Sequence, residues 1–403
     1  MPTVRLSELL GQPSAAAFLR GVVARGRPAG AYLFQGPAGV GKGTAALAFA
    51  RALLCERTPG APAIDAAPSL FEASNAATAR PGDDDACGEC GACRRAAEFQ
   101  HPDLKFLFPV SGEERELDQT IADTVHGLRE DPWFVFAYDK AASIRLSVTR
   151  ELIRELAYPP FEAGWRVVVV RDADRMREDQ YSALLKSVEE PGPATVWVLT
   201  TARPTRLPAT IRSRCQKVRF APLPEPLLCE VLATRVGVPA GEARVLGALA
   251  GGNLARAIGL RDSEPLRTRD EALALLQPAL RGDPAGLWKS AQNFMKFGRV
   301  GRESLRRMLE IHQLWLRDLL RVKAGAAREA LAHRDREAEL HRQAERLDPR
   351  EIRRRLMVLE EALRSIDGNV TADLTVFSAM SRVAGIRLGE GKWPSHPAGG
   401  WDY

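Results

Sequence analysis

Gly36-Pro-Ala-Gly39-Val-Gly41-Lys42-Gly43-Thr44 is the stretch that decides the fold of this chain. It follows a short β-type run, Ala31-Tyr-Leu-Phe34, and opens an apolar, alanine-rich helix through Leu54. Strand, glycine-rich loop and helix in that order begin an α/β unit. Such glycines let backbone N–H groups converge on phosphate oxygens, the helix N-terminus adds positive potential, and Lys42 meets the outer phosphates. Gly36, Gly39, Gly41, Lys42, Gly43 and Thr44 are therefore the candidate phosphate-binding residues. A plain glycine-rich turn would not explain the lysine.

Outward from this loop the alternation of strand and helix continues. Trp165–Val170 and Thr195–Leu199 are β-branched runs suited to strands buried on both faces. Between them Asp179–Glu189 reads as a helix with apolar positions at Tyr181, Leu184, Leu185 and Val188, stopped by Pro191. Further strands are expected at 104–108 and 217–220, and helices at 15–25, 148–157 and near 208–212. The pattern predicts a parallel sheet covered by helices. Residues 111–146 show no secure period.

After Pro222 and Pro224 the β-branched runs largely vanish. Residues 225–262 suit a small helical domain, and long helices are expected at 305–322, 324–346 and 351–365. The expected organisation is a P-loop domain over 1–222 with a cysteine module at 55–93, a helical lid over 223–264, a helical domain over 265–385, and a Gly- and Pro-rich flexible tail over 386–403. The stretch 56–86, rich in Pro, Gly and Ala, reads as a flexible excursion.

The metal-binding half of the nucleotide motif is damaged. The residue after the lysine should carry a hydroxyl for Mg²⁺, but Gly43 stands there and Thr44 comes one position late. The second carboxylate motif should follow the strand Val167–Val170, yet Arg171 comes first, then Asp172-Ala-Asp174. A cation there repels Mg²⁺ instead of helping to hold it. Binding of ATP or ADP remains compatible with the loop, whereas Mg²⁺ retention and rapid hydrolysis are not expected. Asp172 is a candidate nucleotide-site carboxylate, although Asp172 or Asp174 equally suits a cap for the next helix. Thr201, ending the following strand, is placed to read a γ-phosphate or a water.

Three of the six cysteines, Cys87, Cys90 and Cys93, lie on a tight turn helped by Gly88 and Gly91. Cys55 at the end of the first helix is the natural fourth ligand for an all-thiolate, closed, structural Zn²⁺ site. An iron–sulfur cluster or redox-active thiols are the lesser readings. Cys215 and Cys229 read as ordinary buried thiols.

Composition sets the class. A chain of 403 residues with 45% hydrophobic and 27% charged residues is an ordinary globular protein of two to three domains. Its net charge of +6 is compatible with DNA contact without requiring it. No basic-then-apolar leader opens the sequence and no apolar run is long enough to span a bilayer, so a cytoplasmic location without a membrane partner is expected.

Arg212-Ser-Arg214-Cys215 follows the second buried strand. Arg214, between a short helix and a strand, has a place from which an arginine reaches an adjacent subunit and neutralises charge on a transferred phosphoryl group. Ser-Arg-Cys alone is a weak signal and gains weight from the motifs before it. Together with Leu10-Gly-Gln12, His101-Pro-Asp-Leu104, Asp172–Met176, Ala183–Pro191 and Leu207–Cys215, these motifs make the chain resemble the delta-prime subunits of the bacterial DNA polymerase III clamp loader. The resemblance covers 8–55, 87–108 and 147–222, and continues weakly at 252–257 and 315–320.

That resemblance implies an α/β P-loop AAA+ module (a RecA-like parallel sheet) with a helical lid, followed by an all-α collar. It implies assembly with tau/gamma motor subunits and delta into a ring that loads the sliding clamp onto primer-template DNA. Arg214 would complete a neighbour's ATP site, while the chain's own site is degenerate. The chain departs from the pattern in the length of 56–86, in the unmatched segment 111–146, and in Ala255 where motor subunits place a sensing arginine. The competing readings are an ATP-hydrolysing tau/gamma-type motor, a nucleotide kinase suggested by Gly-Lys-Gly-Thr, and a structural DNA-binding protein.

Overall fold

The computed structural model describes residues 4–58, 84–111, 116–131, 134–136, 142–162, 164–192, 194–261, 264–287, 289, 302–367 and 372–385. These fall into two compact units, one up to Leu228 together with Gly252–Gly259, the other Cys229–Gly251 together with the residues from Leu260 onward. The segment 223–264 therefore contributes to both. No helix among the described residues is long and apolar enough to cross a membrane.

In the first unit, α1 (Pro13–Arg25), β1 (Ala31–Gln35), α2 (Lys42–Leu54), α3 (Gly91–Ala97), β2 (Leu104–Leu107), α4 (Leu117–Glu130) and α5 (Leu146–Leu156) come first. They are followed by β3 (Arg166–Val170), α6 (Glu178–Glu189), β4 (Thr195–Thr201), α7 (Ala209–Arg214) and β5 (Gln216–Arg219). Every residue of β3 and β4 is buried, as their β-branched composition requires of strands covered on both faces. The sheet runs β2–β3–β4–β1–β5 with all neighbours parallel.

Strand alternation divides the core in two. Tyr32, Phe34, Val167, Val169, Val196 and Val198 pack with apolar residues of α1 and α2. Leu33, Val168, Val170, Trp197 and Leu199 meet residues of α5, α6 and α7 on the other face. This is an α/β P-loop module, and the loops leaving β1, β3 and β4 gather at one end of the sheet, where ligands of such folds bind.

In the second unit α9 (Ala240–Ala250), after α8 (Glu225–Thr234), shares a core with α11 (Pro265–Arg281), α12 (Arg302–Lys323), α13 (Glu337–Arg346), α14 (Pro349–Asp367) and α15 (Ala372–Val383). α10 (Leu254–Gly259) belongs to the first unit.

Two expectations change. The helix foreseen over 324–346 is shorter, because Gly325 turns to φ +71° and residues 328–330 and 334–336 form single 3₁₀ turns before α13. The buried Asp318 carboxylate fixes this connection by accepting from the Ala332 and His333 N–H groups at 3.2 and 2.9 Å, and it also contacts His333 Nδ1 at 2.9 Å. Within 111–146, where no period was evident, α4 forms and packs Leu117, Ile121 and Val125 with Phe108, Val110 and Phe136. Most of 56–86 and all of 386–403 lie outside the described residues.

Candidate functional site

β1 leads directly into the phosphate loop. The Gly36 N–H donates to the Thr201 carbonyl at 3.3 Å, tying the start of the loop to the end of β4. Gly39 at φ +67° and Gly41 at φ +92° take left-handed conformations that glycine adopts without penalty. The loop is also braced from outside: Leu254 N–H donates to Gly39 O at 3.0 Å, and Asn253 Oδ1 lies 1.6 Å from where a Gly39 Cβ would stand. Lys42 is buried, and its Nζ donates to Gly36 O at 2.8 Å and to Pro37 O. Burial pulls the Lys42 pKa down to about 8, with Asp172 and Asp174 opposing and Arg171 assisting.

Arg171 leaves β3 and turns towards the start of α2. Its Nη1 lies 2.3 Å from the point a Cβ on Gly43 would occupy. The guanidinium carbon sits 3.8 Å from the centre of the Phe136 ring, and Nε lies 3.4 Å from an Asp172 carboxylate oxygen. The two departures read separately from the sequence are thus one steric arrangement: the arginine fits because residue 43 has no side chain. Mg²⁺ does not fit these residues. Gly43 offers no hydroxyl, and Arg171 takes the first position after β3, where a carboxylate is needed. Its guanidinium lies beside the Gly43 Cβ position, and the nearby Asp172 faces that guanidinium.

Asp172 adopts φ +47°, unusual for a residue with a Cβ, and its N–H donates to Thr200 Oγ1 at 3.0 Å. Its side chain does not cap the turn that follows. Thr201 is buried, and its hydroxyl donates to Asp174 Oδ1 at 2.8 Å while accepting the Arg203 N–H at 2.9 Å. Thr44 is half-buried in the first turn of α2. Lys42, Gly43, Arg171, Asp172, Asp174 and Thr201 therefore belong to one region. Arg214 has different partners. At the end of α7 it donates to Thr210 O at 3.3 Å, lies 3.3 Å from Glu189 Oε1, and leaves its side chain 44% exposed.

All four cysteines converge, Cys55 included despite the long stretch that separates it from Cys87. The Sγ atoms of Cys55, Cys87, Cys90 and Cys93 all lie within 4.8 Å of one another. The Cys55–Cys90 and Cys87–Cys93 separations are 3.9 Å. Four thiolates about 2.3 Å from a tetrahedral Zn²⁺ have edges of about 3.8 Å, so the geometry fits that ion. Backbone N–H groups of Cys87, Glu89, Cys90 and Cys93 donate to the sulfurs at 3.4–3.5 Å, an arrangement that favours thiolates. The neighbouring Cys93 sulfur holds Cys55 below the ordinary thiol range against its burial, and Cys55 in turn pushes Cys93 up.

Comparison with known proteins places this geometry in a family. The family model for DNA polymerase III, delta subunit, matches residues 11–69 and 60–224, together more than half the chain. The chain belongs to this family. Within it the chain is of the delta-prime type. It is 25% identical over 362 residues to the delta-prime subunit of Bacillus subtilis, covering 89% of this chain and 92% of that one. It is 32% identical over 200 residues to the delta-prime subunit of Pseudomonas aeruginosa, over 50% of this chain. The B. subtilis tau subunit is 23% identical over 303 residues, 74% of this chain. The chain spans 45% of the Pseudomonas relative and 43% of tau. Among solved structures, a Thermotoga maritima RuvB variant aligns with a TM-score of 0.36 at 15% identity, covering 84% of this chain and 89% of that one.

Several structural contributions of this delta-prime chain escaped the sequence reading. His101-Pro-Asp103-Leu was noticed only as a phrase, yet Asp103 is buried and accepts from the Phe161 and Glu162 N–H groups at 2.8 and 2.9 Å. Arg166 Nε lies 3.7 Å from the same carboxylate, and the guanidinium donates to Glu155 O, Tyr158 O and Pro159 O at 2.6–3.1 Å. Asp85, beside the cysteine module, accepts from the Leu6 and Ser7 N–H groups and clamps the N-terminal turn. An arginine opening a run of valines was the available signal for the first pair. Nothing in the local pattern signalled Asp85.

Proposed function

We propose that this chain is a clamp-loader subunit of the DNA polymerase III holoenzyme that works on a neighbour's ATP and hydrolyses its own slowly or not at all. The observation that carries the reading is the Arg171 guanidinium set against Gly43, in the place where a motor subunit needs a hydroxyl and a metal. Arg214 is the residue assigned to the neighbour. It is exposed, stands on a short helix braced against α6, and is held by a bond to Thr210 O and a partly exposed ion pair with Glu189, contacts that a phosphate can displace. In this role it neutralises charge developing on the transferred phosphoryl group of an adjacent tau/gamma motor.

The four cysteines hold Zn²⁺ in a closed site that takes no part in the reaction. Its work is structural: it fastens the end of α2 to the turn that opens α3, in a region with little apolar surface of its own. The proposed division is a P-loop domain, a lid over 223–264 and a helical collar over 265–385 that joins delta and the tau/gamma subunits. The sliding clamp and primer-template DNA are met by the assembled cytoplasmic complex.

The test is reconstitution with the tau/gamma and delta partner subunits. Arg214→Ala should leave assembly intact and lower the clamp- and DNA-stimulated ATPase. An unchanged rate refutes the assignment of Arg214. Hydrolysis by the isolated chain, abolished by Lys42→Ala, would instead favour a tau/gamma-type motor.

A further inference from the structure

We infer that the phosphate loop of this chain is a Mg²⁺-independent polyphosphate site in which the Arg171 guanidinium does the metal's electrostatic work. The inference rests on the preceding reading that the chain's own Mg²⁺ site is lost, and asks what remains once it is gone. A P-loop with a metal binds the β- and γ-phosphates through backbone N–H groups, a lysine and the ion. Here the first two are kept and the third is exchanged for a fixed side chain.

Three features support the exchange. The loop has a phosphate-cradling shape: Gly39 and Gly41 are left-handed and Leu254 N–H fastens Gly39 O. Arg171 is fixed rather than free to sweep: Phe136 lies under its guanidinium, Asp172 faces Nε, and Gly43 leaves room for Nη1. Two cations, Lys42 and Arg171, also converge on this end of α2, where the helix adds further positive potential. Asp172 and Asp174 offset that charge, but Asp174 is committed to the Thr201 hydroxyl and Asp172 to Arg171. The four side-chain charges sum to zero, so the loop's backbone N–H groups and the positive end of α2 supply the rest of the attraction for an anionic ligand.

A guanidinium presents planar, paired N–H donors that match phosphate oxygens, and it carries its charge at any working pH. Lys42 spends two of the three donors of an ammonium on Gly36 O and Pro37 O, which leaves the loop able to receive phosphate with little rearrangement. The ligand class is a nucleoside diphosphate or triphosphate, or inorganic pyrophosphate. All share the polyphosphate that the loop and the two cations address.

The experiment is titration calorimetry on the full chain with ADP and, separately, pyrophosphate, each in EDTA and in excess Mg²⁺. ADP should bind in EDTA within about threefold of its affinity in Mg²⁺, and Arg171→Ala should weaken binding in EDTA by about tenfold or more. Arg171→Lys, which keeps the charge but loses the paired donors, should fall between them. Arg171→Asp combined with Gly43→Ser should restore dependence on Mg²⁺. Binding of ADP but not pyrophosphate would assign recognition to the nucleoside as well, and equal binding would assign it to the polyphosphate alone. Either keeps the site. No binding of either probe in EDTA, or binding unaffected by Arg171→Ala, overturns the inference. That failure is distinct from failure of the proposed function, which appears as Mg²⁺-dependent hydrolysis by the isolated chain or as indifference of the reconstituted loader to Arg214→Ala. A thermal shift by ADP in EDTA reports binding for any variant too unstable for calorimetry.

Discussion

Replacing Asp103 by alanine tests how the sheet's lower end is held. The carboxylate is 1% exposed and serves three positions at once: the N–H groups of Phe161 and Glu162, and the charge of Arg166, itself 5% exposed. Losing one partner of a buried ion pair typically costs about 3–5 kcal/mol, because the other charge stays buried. Two considerations set where in that range the loss falls. The Arg166 guanidinium keeps three carbonyl acceptors, which limits the penalty. The two N–H groups lose charge-assisted bonds of about 1.5–3 kcal/mol each, but they lie on a segment that water can reach. These terms overlap and do not add, so a loss of about 3–4 kcal/mol is expected. Urea unfolding followed by tryptophan fluorescence should show a lower midpoint with little change in slope. Amide exchange at Phe161 and Glu162 should rise together. A loss below about 1 kcal/mol would refute the reasoning, since it would mean the carbonyls alone satisfy Arg166.

Other expectations follow from the same geometry. Metal analysis of the purified chain should find close to one equivalent of zinc, and Cys90→Ser should lose it and expose the end of α2 to proteolysis; a folded, metal-free wild type would refute the site. His312 in α12 is wholly buried with Nε2 2.7 Å from Ala272 O, and burial pushes its pKa down to about 4. The unfolded imidazole takes its proton near 6.5 and the folded one only near 4, so its contribution is fully present above pH 6.5 and is lost as pH falls towards 4. The wild type should lose up to about 1.4 kcal/mol per pH unit across that window relative to His312→Leu, and parallel profiles would refute it. Gly39→Ala places a Cβ onto Asn253 Oδ1 at a left-handed φ, so protection of the Leu254 amide from exchange should fall; unchanged protection would show that the loop yields freely.

Much of the first unit was legible because its signals are local. Valine runs demand a doubly covered strand, and Gly36–Thr44 permits few other conformations. The cysteines were legible for the same reason, three of them lying within one turn. What escaped depends on partners far apart in sequence. The 78 positions between Asp85 and Ser7, or the 58 between Asp103 and Phe161, carry no local pattern to read. α4 was missed despite Leu117, Ile121 and Leu128 at helical spacing, because few of its residues are buried and its polar faces dilute the period. Gly325 ended a helix that composition alone would have continued.

The close approach of Arg171 to Gly43 also makes a one-way gate for descent. Serine introduced alone at position 43 meets a guanidinium already in its space. An aspartate alone at position 171 gains a metal ligand without the hydroxyl beside it and abandons Phe136. Each single change disturbs the pair while leaving the other half of a metal site unbuilt. Duplicated copies of this chain would therefore be expected to diverge in surface and tail while these two positions travel as a linked pair.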